Sequence, residues 1–290
     1  MSRRARTLFA VHAHPDDESS ATGGLLRLLA QQGHTTVLVT CTNGELGEVR
    51  DPTLGLNPLE RPEDRPRLAD VRRHELMQAA SILGITHLHM LGYHDSGMQG
   101  SDTNAAPHAF VNVDPEDAIR RLAGLIREHR PDVAVTYDEK GGYGHPDHIM
   151  AHDITMAALD AAADASRFPD AGRPWEVPKV YYTAWAQSDM LRVFKILHFL
   201  GRDTPLRDPD FDITKMGCPD ELITTRIDIR PVLHAKWRAL YAHRSQMGRD
   251  RCFRRLQQLG SRWFYAYESL RCVRSPKPIR VPESDIFSGL

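Results

Sequence analysis

The feature that most constrains the fold of this chain is a regular alternation of short apolar runs with segments of helical periodicity. Residues 7–12 (TLFAVH) are a strand-like apolar run, and residues 21–33 then carry apolar side chains at helical spacing. Residues 35–42 (TTVLVTCT) are β-branched and almost continuously apolar, as expected of a strand buried on both faces of a parallel sheet. This opening predicts a strand, a helix and a second, parallel strand.

The same alternation continues through the first half of the chain. Helical spacing recurs at residues 69–84 and 114–130, and strand-like runs follow at residues 86–92 and 131–138. Strand–helix–strand units close with right-handed crossovers, so that successive strands lie in one sheet. We therefore predict an α/β fold with a Rossmann-like, mostly parallel sheet flanked by helices.

The charge of the chain gives no strong overall field that would recruit a partner. Lys and Arg total 37 against 38 Asp and Glu, and the net charge at pH 7 is -1. Because nucleic acids and anionic membranes attract basic proteins, neither is a predicted partner. A local group of arginines, Arg251, Arg254 and Arg255, is interpreted as a solvated helix face.

The cysteines lack the paired spacing of a zinc knuckle or a disulfide framework; they are Cys41, Cys218, Cys252 and Cys272. The apolar run near the start of the chain is too short for a signal peptide and ends in His and Asp. A reducing cytoplasm is therefore the predicted location.

The first motif with chemical content, HAHPDDE at residues 12–18, follows the first predicted strand. Doubly wound sheets place their ligand crevice at the carboxyl ends of such strands. His14 and Asp17 are three residues apart, so one tight turn can direct both side chains to a common point, while Asp16 projects differently. An imidazole nitrogen and a carboxylate oxygen suit a borderline ion such as Zn²⁺. The alternative is a plain helix cap made by Asp16 or Asp17.

The second motif, GGYGHPDH at residues 141–148, follows the strand predicted at residues 131–138 and leads into a helix at Pro146. His148, in the first turn of that helix, is the predicted third ligand, which leaves one position of the ion open for water. His152 lies one turn later on the same helix face and is either a rival ligand or a packing histidine. Together the two motifs predict a catalytic metal site.

Such a site predicts hydrolysis by an activated water. The ion lowers the pKa of water, and Asp16 is the predicted base that takes the proton. The hydroxyl of Tyr143 is a predicted donor to the resulting oxyanion, although a tyrosine at this position is equally well explained as a packing residue. Protonated His145, oriented by Asp147, is predicted to add positive charge or to protonate the leaving amine.

The two motifs, HPDDE at residues 14–18 and GHPDH at residues 144–148, resemble those of the zinc-dependent de-N-acetylases of the LmbE-like, GlcNAc-phosphatidylinositol deacetylase superfamily. The resemblance implies a Rossmann-like enzyme that removes an acyl group from an amino sugar. By that resemblance the metal ligands are His14, Asp17 and His148, the general base is Asp16, and the charge-stabilising residues are Tyr143 and His145.

Within the superfamily the chain is most similar to the mycothiol branch, which contains a GlcNAc-inositol deacetylase and an amidase of mycothiol S-conjugates. The similarity extends over residues 39–49, 71–76, 91–100 and 110–115. It implies a sugar or inositol pocket lined by Glu48, Arg72, Asp95 and Met98. A charged donor and acceptor such as Arg72 and Asp95 can hold vicinal hydroxyls, but an ion pair at the surface would use the same residue types.

Two features bear on the choice between these branches, and they point in different directions. Residues 19–21 are Ser-Ser-Ala where the amidase branch carries a lysine, whereas the segments 217–229 and 242–247 resemble the amidase branch at least as well as the deacetylase branch. The predicted substrate is therefore an N-acyl amino sugar or its conjugate, with a conjugate amidase and a hydratase or lyase on the same scaffold as alternatives.

The domain prediction follows from the loss of regular alternation after the strand predicted at residues 179–186. We expect residues 1–186 to form the Rossmann-like, metal-dependent deacetylase domain, and residues 187–290 to form a partly helical C-terminal region that completes the substrate pocket. A helix is predicted within residues 231–247. Fe²⁺ is an alternative to Zn²⁺, since His and Asp ligands suit both ions, and the oligomeric state is left open, a homo-oligomer included.

Overall fold

The computed structural model describes residues 4–199, 201–208, 210–248 and 266–290. Within these ranges the centre is one sheet of seven strands: β1 (Thr7–His12), β2 (Thr35–Thr42), β3 (His87–Tyr93), β4 (Val133–Thr136), β5 (Lys179–Ala184), β6 (Thr225–Asp228) and β7 (Tyr267–Arg274). Their order across the sheet is β3-β2-β1-β4-β5-β7-β6. Strands β1 to β5 pair in parallel, whereas β7 runs antiparallel to β5 and β6. The predicted mostly parallel sheet is confirmed.

Helices cover both faces of this sheet. They are α1 (Gly23–Gln31), α2 (Arg65–Leu83), α3 (Pro115–His129), the short turn α4 (Gly141–Gly144), α5 (Pro146–Ala163), α6 (Gln187–Phe199), α7 (Leu233–Leu240) and α8 (Arg244–Met247). On β1, Phe9 and Val11 pack in the core that contains α3 and α5, whereas Leu8 and Ala10 pack in the core that contains α1, α2 and α7. Because strand side chains alternate between faces, a strand covered on both sides is apolar at nearly every position.

The sheet has a switch point between β1 and β4. From β1 the chain moves outward through β2 to β3, and it then returns to pair β4 with the other side of β1. Such a reversal leaves a crevice at the carboxyl ends of the two central strands. Both sequence motifs follow these strands, one directly after β1 and the other after β4. The topology therefore places them at the same edge of the sheet.

The C-terminal part of the chain contributes β6 and β7, which its amino-acid pattern did not predict. Near the start of β7, the buried Glu268 interrupts the apolar signal of a strand. Its carboxylate accepts hydrogen bonds from the N–H groups of Gly24 and Leu25, both at 2.7 Å, at the beginning of α1, and it pairs with Lys236 at 2.5 Å. These partners compensate the charge and permit its burial. The domain boundary at residue 186 stays a prediction; the sheet itself continues beyond it through β7 and β6.

The remaining predictions concern the helical segment at residues 231–247, the cysteines and the group of arginines. The helical segment at residues 231–247 consists of α7 and α8 with a break between them. Cys41, Cys218 and Cys272 are free thiols. The remaining predicted features, Cys252, Arg251, Arg254 and Arg255, lie outside the described residues. Of the helices in the described ranges, none has the length and apolar character needed to span a bilayer.

Candidate metal centre and active site

The two motifs meet where β1 and β4 end. Asp16, in the turn after β1, has a φ of 117°, a backbone conformation that is strained for a residue with a side chain. After β4, Gly141, Gly142 and Gly144 have φ values of 64°, 75° and 89°, which glycine adopts without steric cost. The chain thus turns sharply twice, and the imidazoles and carboxylates of both turns face one another.

Three predicted ligand atoms form a nearly equilateral triangle. His14 Nδ1 lies 3.4 Å from Asp17 Oδ2 and 3.3 Å from His148 Nε2, and His148 Nε2 lies 3.5 Å from Asp17 Oδ2. Tetrahedral Zn²⁺ with bonds of about 2.0–2.2 Å places its ligand atoms about 3.3–3.6 Å apart. The triangle therefore fits three corners of a tetrahedral site. Asp17 makes no capping hydrogen bond through its side chain, which disfavours the helix-cap alternative for this residue.

The ring nitrogens of both histidines that point away from this triangle have hydrogen-bond acceptors. His14 Nε2 lies 3.1 Å from Asp147 Oδ2, and His148 Nδ1 lies 3.1 Å from the carbonyl oxygen of Gly141. A carboxylate or carbonyl acceptor favours an imidazole proton on the facing nitrogen, which leaves the other nitrogen of each ring able to offer its lone pair to an ion at the centre of the triangle. This is the arrangement expected of histidines that bind a metal ion.

Lack of space for a side chain, as well as the positive φ, requires a glycine at position 141. A Cβ atom at this position would lie 2.7 Å from the Cβ of His148 and 2.9 Å from the backbone nitrogen of Ile149. The close approach brings the Gly141 carbonyl within reach of the His148 ring. The first glycine of GGYGHPDH therefore positions the ligand seven residues later.

Tyr137 is a functional residue that the sequence motifs do not identify. Its hydroxyl donates a hydrogen bond to Asp17 Oδ2 at 2.8 Å and accepts one from the N–H group of Ala13 at 2.8 Å. Its ring stacks on His148 with a centroid distance of 4.2 Å. Burial and the nearby Asp17 carboxylate raise the pKa of Tyr137 well above its ordinary value, so the hydroxyl remains a donor. The only sequence signal was its position directly after β4.

Replacing Tyr137 by phenylalanine is expected to weaken metal binding by about 10–100-fold, because loss of an outer hydrogen bond leaves the Asp17 ligand less well oriented. Competition with a chelator of known affinity would measure the change. Tyr93→Phe is the matched control, since the Tyr93 hydroxyl donates to Asp117 at 2.8 Å, away from the two motifs. Equal metal affinity in Tyr137→Phe and the parent would contradict the role given to this hydroxyl.

Asp16, the predicted base, is held by Arg72. The guanidinium of Arg72 donates to Asp16 Oδ2 at 2.9 Å and to the carbonyl oxygen of Gly44 at 2.7 Å, and it also contacts the carbonyl oxygen of Pro15. Arg72 is almost completely buried. Burial raises the pKa of Asp16 to about 6 even though Arg72 opposes the shift. The Arg72 guanidinium, which was predicted to line the sugar pocket, thus binds the predicted base Asp16 and two backbone carbonyls.

His145 precedes the helix that begins at Pro146 and caps it through its ring. Its Nδ1 accepts a hydrogen bond from the N–H group of Asp147 at 3.2 Å. Burial, together with the neighbouring His14 and His148, lowers the pKa of His145 to about 3. The lowered pKa favours the neutral ring, and because Nδ1 accepts a hydrogen bond, a neutral ring carries its proton on Nε2.

The Asp147 side chain differs from its predicted pairing with His145. Its Oδ2 is within hydrogen-bond distance of His14 Nε2 and accepts a further hydrogen bond from the N–H group of Ser96 at 3.0 Å. An oxygen of the Asp147 carboxylate lies within 4.8 Å of a His145 ring nitrogen, but the hydrogen bond to that ring comes from the Asp147 backbone N–H group. The Asp147 carboxylate therefore contacts His14, a candidate metal ligand, and not His145 as predicted.

Tyr143 lies at the open side of the cluster. Its side chain is about half exposed, and its ring meets His148 edge-on at a centroid distance of 5.0 Å and His145 at 6.2 Å. Partial burial and the Asp17 carboxylate raise the pKa of Tyr143, so that its hydroxyl stays protonated. A protonated hydroxyl at the rim can donate a hydrogen bond to a bound molecule.

The remaining residues predicted for the sugar pocket do not all lie together. Asp95 is buried, with Oδ1 3.7 Å from His14 Nε2, and it also lines a cleft of about 650 Å³ whose other walls include Glu45, His94 and His108. Glu48 and Met98 lie on exposed loops, and the Glu48 carboxylate is 3.6 Å from Arg50. Of these residues, Asp95 is the one that joins the cluster to the cleft.

His152, the rival ligand, faces a different environment. Its Nδ1 lies 2.9 Å from the carbonyl oxygen of Tyr137, and its ring packs edge-on against Tyr182. In the described part of the chain, two groups of His and Asp side chains have ligand atoms close enough to share an ion; both contain His14 and His145, joined either by His148 or by Asp95 and Asp147. His152 belongs to neither group.

Known proteins resemble this chain over its full length. A family model described as PIG-L, GlcNAc-PI de-N-acetylase, matches residues 9–159. A relative from Geodermatophilus obscurus, named 1D-myo-inositol 2-acetamido-2-deoxy-alpha-D-glucopyranoside deacetylase, is 39% identical over 292 residues and covers 99% of this chain and 98% of its own. A relative with the same name from Thermomonospora curvata is 40% identical over 299 residues, which cover 100% of this chain and 99% of its own.

Solved structures support the fold. N,N'-diacetylchitobiose deacetylase from Pyrococcus horikoshii has a TM-score of 0.63 at 17% identity, with 94% of this chain and 88% of that chain covered. The 4-carboxy-2-hydroxymuconate hydratase GalB from Pseudomonas putida has a TM-score of 0.61 at 20% identity, with 95% and 99% covered. At such identities the likeness concerns the fold alone. The family model and the full-length relatives confirm the resemblance carried by HPDDE and GHPDH: this chain belongs to the PIG-L family of GlcNAc-PI de-N-acetylases.

Proposed function

We propose that this protein is a metal-dependent deacetylase that hydrolyses the N-acetyl amide of GlcNAc-inositol. The observation that carries the proposal is the triangle of His14, Asp17 and His148 with the separate carboxylate of Asp16 beside it. The substrate is taken from the names of the full-length relatives from Geodermatophilus obscurus and Thermomonospora curvata. Its free thiols are consistent with a reaction in the cytoplasm.

Zn²⁺ is the proposed ion because two imidazole nitrogens and one carboxylate oxygen form a typical catalytic zinc site, with Fe²⁺ as the alternative. A divalent ion held by His14, Asp17 and His148 supplies Lewis-acid polarisation of the acyl carbonyl and lowers the pKa of water towards about 7. The ring orientations set by Asp147 and Gly141 favour such an ion over a proton at the centre of the triangle.

The residues of the chain perform the proton transfers. Asp16, oriented by Arg72, takes one proton from the attacking water. The neutral Nε2–H of His145 and the hydroxyl of Tyr143 donate hydrogen bonds to the oxyanion of the tetrahedral intermediate. When the carbon–nitrogen bond breaks, Asp16 returns its proton to the leaving nitrogen, and the products are the free amine and acetic acid, which ionises to acetate by releasing its proton to water. Asp16 is proposed for this role in place of His145 because the lowered pKa of His145 disfavours its charged form.

The cleft beside Asp95 is the proposed place for the inositol and sugar hydroxyls. Asp95 Oδ1 accepts a hydrogen bond from the N–H group of Gly97 at 2.8 Å, and Oδ2 accepts one from Leu46 at 3.3 Å. The neighbouring His14 and the hydrogen bond from Gly97 keep the pKa of the Asp95 carboxyl below its ordinary value despite burial. A charged carboxylate fixed at the base of a cleft is suited to accept hydrogen bonds from vicinal hydroxyls.

A comparison of three substrates tests the proposal. Zinc-loaded protein is incubated with GlcNAc-inositol, with an amide of the mycothiol S-conjugate type and with N-acetylglucosamine, and released amine and acetate are measured. We expect fastest release from GlcNAc-inositol and equal amounts of amine and acetate. Faster cleavage of the conjugate would favour the amidase alternative, which the segments 217–229 and 242–247 resemble. Loss of substrate without either product would indicate the hydratase or lyase alternative.

A further inference from the structure

A buried pair connects the C-terminal part of the chain to the metal-binding turn. His243, which follows α7, places Nε2 2.8 Å from Oε1 of Glu18. Both side chains are completely buried. Glu18 is the last residue of HAHPDDE, and His243 belongs to the segment 242–247. Neither residue takes part in the proton transfers proposed above.

The second oxygen of Glu18 reaches the backbone of the proposed base. The N–H group of Asp16 donates a hydrogen bond to Glu18 Oε2 at 3.0 Å. This is the residue with the strained φ of 117°, and such a conformation persists only where its surroundings hold it. Arg72 binds the carboxylate of the same residue. The backbone and the side chain of Asp16 are therefore held by different partners.

The charge of Glu18 needs a partner because Asp16 and Asp17 are close by. The imidazole of His243 supplies this compensation through its hydrogen bond to Oε1. Burial alone would lower the pKa of His243, but the Glu18 carboxylate raises it above its ordinary value. The other ring nitrogen, Nδ1, has no hydrogen-bond partner among the described residues, although it is buried. Apolar side chains would fill this space with less loss of hydration, so packing alone does not explain the pair.

We propose that Glu18 and His243 are positioning residues that hold the backbone of Asp16 and thereby direct its carboxylate at the attacking water. The segment 242–247 then contributes to catalysis although it is far from the motif in sequence: His243 binds the carboxylate of Glu18, which in turn accepts a hydrogen bond from the backbone N–H group of Asp16. The inference rests on the proposed function of Asp16 as the general base. We expect the contact to affect kcat and not KM, because neither residue lies in the cleft beside Asp95 that is proposed to bind the substrate.

The test compares His243→Ala with a variant of the same segment. We expect His243→Ala to lower kcat by about 10²-fold, because a displacement of the base by about 1 Å has this cost, with KM and metal content unchanged. His243→Gln, whose amide can still donate to Glu18, should recover part of the loss. Ser245→Ala is the matched control: its hydroxyl donates to Glu75 Oε2 at 2.6 Å and anchors the segment to α2 without touching Glu18. This control should keep the parent kcat.

A second readout does not depend on the substrate. Hydrogen exchange of the Asp16 amide, followed by NMR on the folded, metal-loaded protein, should be slow in the parent and in Ser245→Ala and faster in His243→Ala. If the parent hydrolyses none of the amides but the exchange differs as expected, the proposed function fails while the positioning contact stands. Unchanged exchange and kcat in His243→Ala would overturn the inference. An equal loss of kcat in Ser245→Ala would overturn it too, since it would assign the effect to general anchoring.

Discussion

Asp16→Asn is expected to lower kcat by about 10²–10⁴-fold while the protein keeps its bound metal. The asparagine amide has nearly the same shape as the carboxylate but cannot accept a proton at neutral pH. The metal is retained because the predicted ligand atoms come from His14, Asp17 and His148. Steady-state release of amine from GlcNAc-inositol gives kcat, and elemental analysis of the same sample gives the metal content.

Asp132→Asn is the matched control for this substitution. Asp132 also pairs with an arginine, Arg6, at 2.5 Å, and it binds the backbone N–H group of Thr7 at 2.8 Å. It lies near the amino end of β1, however, whereas Asp16 follows the carboxyl end. The control should lose stability without losing kcat. A fully active Asp16→Asn enzyme would exclude Asp16 as the base and would make Asp95 the next candidate for that role.

Removal of one proposed metal ligand is expected to have the second large effect. Asp17→Ala and His148→Ala should each lose nearly all bound metal and with it the hydrolytic activity. The loss should exceed the roughly 10–100-fold weakening expected from an outer hydrogen bond, because a direct bond to the ion disappears. Treatment of the parent with a chelator should reproduce the inactive state, and added Zn²⁺ should restore activity to the parent only.

His152→Ala separates the two histidines of α5. His148 and His152 lie on the same helix one turn apart, but His152 Nδ1 is directed at the carbonyl oxygen of Tyr137. This variant should therefore retain the metal. Metal loss in His152→Ala together with retention in His148→Ala would reverse the ligand assignment.

Much of the fold follows from local patterns along the chain. Strands such as β2 are apolar at nearly every position because helices cover both faces of the sheet, so their signal is strong. The strand-like runs and their order predicted a parallel sheet, and the position of each motif after a strand predicted that His14, Asp17 and His148 converge. The strand β7 was not predicted, since the partners that permit burial of Glu268 lie elsewhere in the sequence.

Sequence by itself thus determined the α/β sheet, the family and the edge of the sheet at which the reactive side chains meet. Only the tertiary structure decided which nitrogen of each histidine faces the centre, that the surroundings of His145 lower its pKa, that Arg72 binds Asp16, and that Glu18 pairs with His243. The physical reason is that burial and charge partners set protonation and orientation. Those partners come from segments far apart in sequence, whereas periodicity reports only which face of a local element is apolar.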